Sequence, residues 1–185
     1  MGVSRAHPYG PARAIPATPW EVDGRGLRPG TFADQLGHPD GDLVVFLRHA
    51  GCCFCGEMIA DVHAAARTPG FPSPLLVHQG DRIQGEDLLA ALPGARAIAD
   101  PERRLYTAFG VERGGAAEMF GPAVWRCGIR ALGKGHGIGA RVGDGWTLPT
   151  LVLVHDGRIV WEHRGRHAGD HPDLTELVPE ARTPA

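Results

Sequence analysis

The chain has 185 residues, 43% of them hydrophobic and 22% charged, and its formal net charge is −2. These values are close to globular averages and exclude wholesale disorder, and the lack of excess positive charge argues against binding of nucleic acid. No apolar run reaches the roughly 20 residues that a membrane span requires, and residues 1–20 lack the apolar stretch of a secretory signal. We therefore expect a cytoplasmic protein with neither nucleic acid nor membrane as a partner.

The N-terminal part of the chain divides into an arm and the start of a domain. Residues 1–18 are rich in Pro, Ala and Arg and are expected to form a flexible arm, whereas residues 19–180 are expected to form a single domain. Asp23-Gly24 lies between short apolar positions, which predicts a small hairpin over Trp20–Leu27. A short helix capped by its first residue is predicted over Thr31–Leu36.

Strands and helices alternate in the middle of the chain. The apolar run Leu43–Leu47 predicts a strand buried on both faces, and helical spacing of apolar residues begins at Cys55. The next predicted elements are strand Pro74–Val77, helix Gly85–Leu92, strand Arg96–Ala99, helix Asp100–Phe109 and a weaker helical segment Met119–Leu132. This alternation favours an α/β fold with a central sheet flanked by helices.

The clearest hairpin of the sequence lies near its C-terminal end. The apolar runs Leu151–Val154 and Ile159–Trp161 flank Asp156-Gly157, a dipeptide typical of primed two-residue turns. A last short helix is expected to end near Val178. Since a hairpin adds antiparallel strands, the central β-sheet is expected to be mixed.

Three of the four cysteines, Cys52, Cys53 and Cys55, lie between the first buried strand and the helix that follows it. Such clustering indicates reactive thiols, because structural disulfides usually close long loops. Cys52 and Cys55 form a C-x-x-C pair whose sulfurs can approach for a disulfide. We expect an exposed Cys52 at the helix N-terminus, where unpaired N–H groups favour a thiolate, and a more shielded Cys55.

Two further pairs of residues are candidates for supporting roles. Arg48 and His49 directly precede the cysteines and either add positive charge that lowers a thiol pKa, or are exposed residues at a strand end. Leu148 and Pro149 begin the C-terminal hairpin. Because Pro cannot donate to a central ladder, we expect a special geometry there, namely a cis peptide bond beside the cysteines that leaves a groove for a partner chain.

No metal ion and no cofactor are expected. The C-x-x-C pair with Cys127 and His136 would make a zinc set on paper, but a second compact ligand pair is missing. Histidines recur every four residues at His163, His167 and His171, yet glycines and a proline between them disfavour the helix that would align them.

The succession of strand, C-x-x-C, helix and a later X-Pro-Thr hairpin resembles the thioredoxin fold. More specifically, Val45–Cys55 is similar to the AhpC/TSA-like, selenoprotein-L-related branch of peroxiredoxin-like proteins. The other matching segments are Asp100-Pro101, Leu105-Tyr106, Phe109-Gly110, Arg166 and Ala168–Leu174. The resemblance covers about residues 20–178, and it implies an attacking role for Cys52 and a resolving role for Cys55.

The resemblance implies an antioxidant, thiol-dependent oxidoreductase that reduces peroxides or disulfides through a Cys52/Cys55 dithiol–disulfide cycle. An external dithiol reductant, such as a thioredoxin-type protein, would reset the redox-active disulfide. Typical peroxiredoxins carry Pro seven residues, and Thr or Ser three residues, before the attacking cysteine, where this chain has Val45 and His49. The alternative is a non-catalytic thioredoxin-like module that senses redox state or binds a partner. The sequence leaves open the oligomeric state and the role of Cys53.

Overall fold

A seven-stranded mixed β-sheet forms the centre of the molecule, with strand order β1-β7-β6-β3-β4-β5-β2. The structure is a computed structural model that describes residues 12–49, 51–89, 94–135, 137 and 143–178. The strands are β1 (Arg13–Ala14), β2 (Asp23–Arg25), β3 (Asp42–Phe46), β4 (Ser73–His78), β5 (Arg96–Ala99), β6 (Thr150–His155) and β7 (Arg158–Arg164). Strands β3, β4 and β5 are parallel, and the other pairings are antiparallel. The mixed α/β, thioredoxin-like arrangement expected from the sequence is thus confirmed.

Helices cover both faces of the sheet. They are α1 (Cys53–Ala65), α2 (Arg82–Leu88), α3 (Arg104–Ala108), α4 (Ala116–Phe120) and α5 (Pro122–Gly133), with 3-10 turns at Ala33–Gln35 and Leu174–Leu177. Helix α1 packs against both α5 and the second 3-10 turn. No helix within the described residues combines the length and the apolar content needed to span a bilayer.

Strand β3 is central because its side chains enter both halves of the core. Leu43 and Val45 belong to the cluster that contains α1, whereas Val44 and Phe46 belong to the cluster on the opposite face. The ring of Tyr106, on α3, meets Phe46 edge-to-face at 5.2 Å. Because side chains along a strand point alternately to its two faces, the continuous apolar run of β3 packs into both clusters. This packing holds in place the C-terminal end of β3, after which the cysteine segment begins.

The predictions of strands β3 to β5 and of the C-terminal hairpin are confirmed to within one residue, except that β7 extends three residues beyond the predicted Trp161. Strands β3, β4 and β5 occupy the predicted positions, and β6 and β7 are joined at Asp156-Gly157. Both turn residues have positive φ, 48° and 69°, as a primed turn requires. Helix α2 begins three residues before the predicted Gly85, and residues 90–92 of that prediction lie outside the described part of the chain.

The hairpin predicted over Trp20–Leu27 is wrong. Within that range Asp23–Arg25 forms β2, which pairs antiparallel with β5 and completes one edge of the sheet. At Gly24, where φ is +158°, a Cβ atom would lie 2.0 Å from the carbonyl oxygen of Ala97. Gly24 therefore allows β2 and β5 to approach closely, and it does not form the local turn that the sequence suggested.

Four helical predictions also differ from the structure. The helix expected from Asp100 begins only at Arg104, because Arg103 is left-handed (φ 59°) and the Asp100 carboxylate accepts the N–H groups of Arg104 and Leu105 at 2.9 and 2.8 Å. The segment Met119–Leu132 is split between α4 and α5 at Gly121-Pro122, since Pro lacks the N–H that a continuous helix needs. The first and last predicted helices are 3-10 turns.

The predicted N-terminal arm is described only from residue 12 onward. Residues 1–11 of this prediction lie outside the described part of the chain. Arg13 and Ala14 form β1 at the edge of β7, and the Arg13 guanidinium pairs with Glu162 at 2.7 Å. The boundary after residue 18 and the single domain over 19–180 stay predictions.

The hydroxyl of Tyr106 should be a measurable source of stability. It is fully buried and donates to the carbonyl oxygens of Leu47 and Val77, at 2.6 and 2.9 Å. We expect Tyr106→Phe to lower the free energy of unfolding by about 1–3 kcal/mol, because the Leu47 carbonyl loses a partner in the core. Urea denaturation measures this, and the exposed hydroxyl variant Thr107→Ala should change stability by less than about 0.5 kcal/mol. Equal losses in both variants would contradict the prediction.

Candidate thiol site

The C-x-x-C pair lies at the N-terminus of α1, as expected. Cys52 is the N-cap residue, with extended backbone angles (φ −82°, ψ 122°), and its carbonyl accepts the N–H of Gly56 at 3.0 Å. Cys55 lies in the first helical turn on the core side. The backbone N–H of Cys55, in the first turn of the helix, contacts the Cys52 sulfur and favours its ionised form.

Both cysteines of the pair are buried. Cys52 is 8% exposed and Cys55 is 4% exposed, so the expectation of an openly exposed Cys52 is wrong. The reason is tertiary, because Arg48 and the segment before β6 fold over the helix N-terminus. The difference between the two thiols is therefore one of charge environment more than of exposure.

Arg48 supplies the cation of the site. Its buried guanidinium donates through Nη1 to the Cys52 Sγ atom at 3.1 Å. Nε donates to the carbonyl of Thr147 at 2.8 Å, and Nη2 donates to the carbonyl of Gly145 at 2.7 Å and to the Met119 sulfur at 3.1 Å. Within the described residues no carboxylate pairs with this cation, so the Cys52 sulfur is the group able to compensate its charge.

The surroundings set the thiol pKa values far apart. A hydrogen bond from the Cys55 thiol, a second one from His49 and the charge of Arg48 lower the pKa of Cys52 to about 3, against the opposing effect of burial. The same contact with Cys52, together with burial, raises the pKa of Cys55 well above its ordinary value. Burial and the negative charge at Cys52 also raise the pKa of Cys53. At neutral pH the site therefore holds one thiolate, at Cys52, next to protonated neighbours.

Gln79 holds the backbone that presents Arg48. Its buried side-chain amide donates to the carbonyl of Arg48 and, at 2.9 Å, to the Thr147 hydroxyl, while its oxygen accepts the N–H of Asp144 at 2.7 Å. One side chain thus joins the ends of β3 and β4 to the segment that precedes β6. This arrangement fixes the guanidinium against the Cys52 sulfur.

Leu148 and Pro149 lie next to the pair, but in a different geometry from the expected one. Leu148 is buried in the cluster that contains the cysteines, and Pro149 lines a small cavity with Cys55. No cis peptide bond occurs in the described residues, so the prediction for the bond between Leu148 and Pro149 is wrong. Pro149 directly precedes β6, whose first residue is Thr150, and its missing N–H therefore removes no bond from the ladder.

A cleft of about 180 Å³ opens beside the Arg48 and His49 side chains. Both side chains also contact the Cys52 sulfur, so the cleft lies next to the residues that hold the thiolate. Its outer wall is aromatic, with the rings of Phe120 and Trp146 in edge-to-face contact at 5.9 Å. A small polar molecule in this cleft would meet a cation and an imidazole at its base.

Sequence reasoning missed Met119, Gln79 and Thr147. The place of Gln79 in the site could have been predicted from the sequence, because the carboxyl ends of parallel strands meet at one edge of a sheet. Gln79 directly follows β4, and Arg48 closely follows the neighbouring parallel strand β3. Met119 and Thr147 lie far along the chain and carry no local signal. Cys127 is half-buried on α5, and the His136 of the considered zinc set lies outside the described residues.

Comparisons with known proteins agree with this fold. The model of the AhpC/TSA antioxidant enzyme family matches residues 40–167. No curated protein matches the sequence. A thiol peroxidase from Chromobacterium violaceum aligns with a TM-score of 0.53 at 13% identity, over 95% of this chain and 85% of that protein. A peroxiredoxin-like protein from Aquifex aeolicus aligns with a TM-score of 0.55 at 11% identity, over 92% of this chain and 91% of that protein. At such identities the structural likeness shows the fold alone.

The low pKa of Cys52 predicts that its reactivity persists in acid. An ordinary thiol, with a pKa of about 8.5, loses about tenfold in alkylation rate per pH unit below that value. We expect Cys52 to react with iodoacetamide at a nearly constant rate between about pH 5 and 8, because it stays ionised. The measurement is quenched alkylation with peptide mass spectrometry, with glutathione as the reference thiol.

The variant Arg48→Met tests the cause of this ionisation. Removing the guanidinium should move the midpoint of Cys52 alkylation to higher pH, since its charge and hydrogen bond favour the thiolate. Arg126→Met removes an exposed arginine of α5 and should leave the profile unchanged. A wild-type profile that parallels glutathione would contradict the ionised state.

Proposed function

The chain belongs to the AhpC/TSA antioxidant enzyme family, and from this premise we propose that it reduces peroxides through a Cys52/Cys55 dithiol–disulfide cycle. One observation carries the proposal, namely the 3.1 Å contact between the buried Arg48 guanidinium and the Cys52 sulfur. A thiolate that is held ready at neutral pH is the nucleophile that peroxide reduction requires.

In the first step the Cys52 thiolate attacks one oxygen of the peroxide. An S–O bond forms as the O–O bond breaks, so that the sulfur is oxidised to a sulfenic acid and the second oxygen leaves as hydroxide or alkoxide, which takes up a proton from solvent to become water or an alcohol. Negative charge moves from the sulfur to the departing oxygen during this step. Arg48 and His49, at the base of the cleft, are the donors placed to stabilise that charge. His49 would thereby take the place of the hydroxyl that typical peroxiredoxins carry at this position.

In the second step Cys55 attacks the sulfenic acid. The S–S bond forms, the S–O bond breaks, and overall the Cys55 proton and the departing hydroxide amount to one water molecule. The hydrogen bond between the two side chains supports this step, because it keeps the sulfurs adjacent. An external dithiol protein of the thioredoxin type would then reduce the disulfide and restore the starting state.

Reduction of protein disulfides is the second candidate function. The observation that favours it is the C-x-x-C pair itself, in which an ionised Cys52 precedes a protonated Cys55. This combination also suits attack on a substrate disulfide, followed by release through Cys55. The two activities differ in the first bond that is broken, O–O or S–S, and can therefore be assayed separately.

The cycle is tested by peroxide consumption in the presence of a thioredoxin system. Cys52→Ser should abolish consumption, because the hydroxyl is a far weaker nucleophile at neutral pH. Cys55→Ser should consume about one equivalent and then stop with a sulfenic acid that dimedone traps. Cys53→Ser and Cys127→Ser are the matched controls and should keep turnover. Insulin reduction without peroxide consumption would favour the second candidate, and neither activity would leave a non-catalytic module.

The redox potential gives an independent prediction. Stabilising the Cys52 thiolate favours the reduced form, so we expect a disulfide more oxidising than that of thioredoxin, which lies near −270 mV. Equilibration with glutathione buffers and mass spectrometry of the Cys52–Cys55 pair would measure it. Arg48→Met should make the potential more negative, and a wild-type value at or below that of thioredoxin would contradict the charge argument.

A further inference from the structure

His171 is a buried imidazole that the proposed cycle has not yet used. It lies in the segment between β7 and the last 3-10 turn, and its side chain is only 9% exposed. Its Nδ1 atom is 3.8 Å from Glu57 Oε2, beyond hydrogen-bond distance, and has no hydrogen-bond partner within the described part of the chain. A buried polar atom without a partner is uncommon and calls for a chemical explanation.

His171 and Cys55 line the same small cavity. Cys55, Arg48 and His171 line it together with Pro149, and its remaining walls are apolar. The cavity volume of about 10 Å³ is close to the space that one water molecule occupies. Of the side chains that line it, Arg48 is purely a donor, whereas the imidazole offers an acceptor nitrogen.

The resolving step needs such an acceptor. Cys55 is buried and protonated, and its proton must leave before or during attack on the Cys52 sulfenic acid. Direct loss to solvent is hindered because the thiol is only 4% exposed. The cavity that Cys55 shares with His171 offers a route for this proton inside the protein.

We propose that His171 accepts the Cys55 proton, through one water molecule in this cavity, as Cys55 attacks the Cys52 sulfenic acid. The inference rests on the proposed cycle and adds a positioning residue to its second step. The S–S bond forms and the S–O bond breaks, with no additional oxidant. The proton held at His171 returns to solvent, and the hydroxide that leaves Cys52 takes up a proton to become water.

The surroundings of His171 keep the imidazole unprotonated at neutral pH. Burial lowers the pKa of His171 to about 4, so the imidazole offers a free lone pair but is a weak base, and it holds the Cys55 proton only transiently before the proton passes to solvent. The groups that act on it electrostatically are Glu57 and Asp61 on α1, Arg130 on α5, and Cys52 at the start of α1. Lys134 reaches Glu57 from the end of α5, and Arg48 faces the same cavity. The Glu57 carboxylate is the nearest anion and would stabilise the transient imidazolium.

A metal ion fits this place less well. Ligand atoms of Glu57, Asp61 and His171 lie within 4.8 Å of one another, the spacing of a metal site. However, the Glu57 carboxylate already binds Arg130 at 2.8 and 3.0 Å and Lys134 at 2.9 Å. Two cations on one carboxylate leave it little capacity for a third, which favours the proton acceptor.

The test compares His171→Gln with the control His167→Gln. His167 also carries a buried Nδ1 atom without a partner in the described residues, but it does not line the cavity. Stopped-flow mixing with hydrogen peroxide, quenched for mass spectrometry, follows sulfenic acid and disulfide separately. In His171→Gln we expect the peroxide step to stay within about twofold and disulfide formation to slow by about tenfold to a hundredfold. The control should leave both rates unchanged.

The pH profile separates proton transfer from a purely structural role. Wild-type disulfide formation should vary little between about pH 6 and 8, whereas the rate in His171→Gln should rise about tenfold per pH unit, because hydroxide replaces the lost base. Wild-type disulfide formation should also be slower in D2O than in H2O, a measurement that needs no variant. Equal rates in the two solvents, or a His171→Gln profile like that of the wild type, would overturn the inference and leave the cycle intact. A wild-type protein that forms no Cys52–Cys55 disulfide would instead overturn the proposed function.

Discussion

The thiol site depends on the buried guanidinium of Arg48, which contacts the Cys52 sulfur instead of the carboxylate that usually accompanies a buried cation. Arg48 is 6% exposed, and its N–H groups donate to two carbonyl oxygens, to the Met119 thioether and to the Cys52 sulfur. A buried cation is costly unless an anion lies close to it, and within the described residues the anion that this site can generate is the Cys52 thiolate. Folding and ionisation are thus coupled, because the fold brings Cys55, His49 and Arg48 against the Cys52 sulfur, and these contacts lower the pKa of Cys52 against the opposing effect of burial.

The same coupling distributes charge between the two cysteines during the proposed cycle. Two of the three effects that raise the pKa of Cys55 come from Cys52, through its hydrogen bond and its negative charge. Once Cys52 becomes a neutral sulfenic acid, both effects are removed and Arg48 loses its anion. The pKa of Cys55 should then fall, so that the resolving thiol becomes easier to ionise only after the first step has occurred.

Rigidity around Arg48 comes from residues that are remote in sequence. The Gln79 side chain joins the carbonyl of Arg48 to the Thr147 hydroxyl and to the N–H of Asp144 by hydrogen bonds. The Tyr106 hydroxyl donates to the carbonyl of Leu47, the residue before Arg48. Three of these four hydrogen bonds are buried, and the one to Asp144 is partly buried. The thiolate is therefore held by a preorganised surrounding, which lowers the cost of arranging charge when a substrate arrives.

The local sequence pattern determined β3, the helix that follows it, the hairpin at Asp156-Gly157 and the position of the C-x-x-C pair. These features could be predicted because the spacing of apolar residues and the conformational preferences of turn residues act over only a few positions. Only the tertiary structure decided that Gly24 serves strand pairing and that Cys52 is buried. It alone decided the environment of the thiols, since Met119, Thr147 and His171 reach the site from distant segments whose local sequence gives no sign of where their side chains will meet.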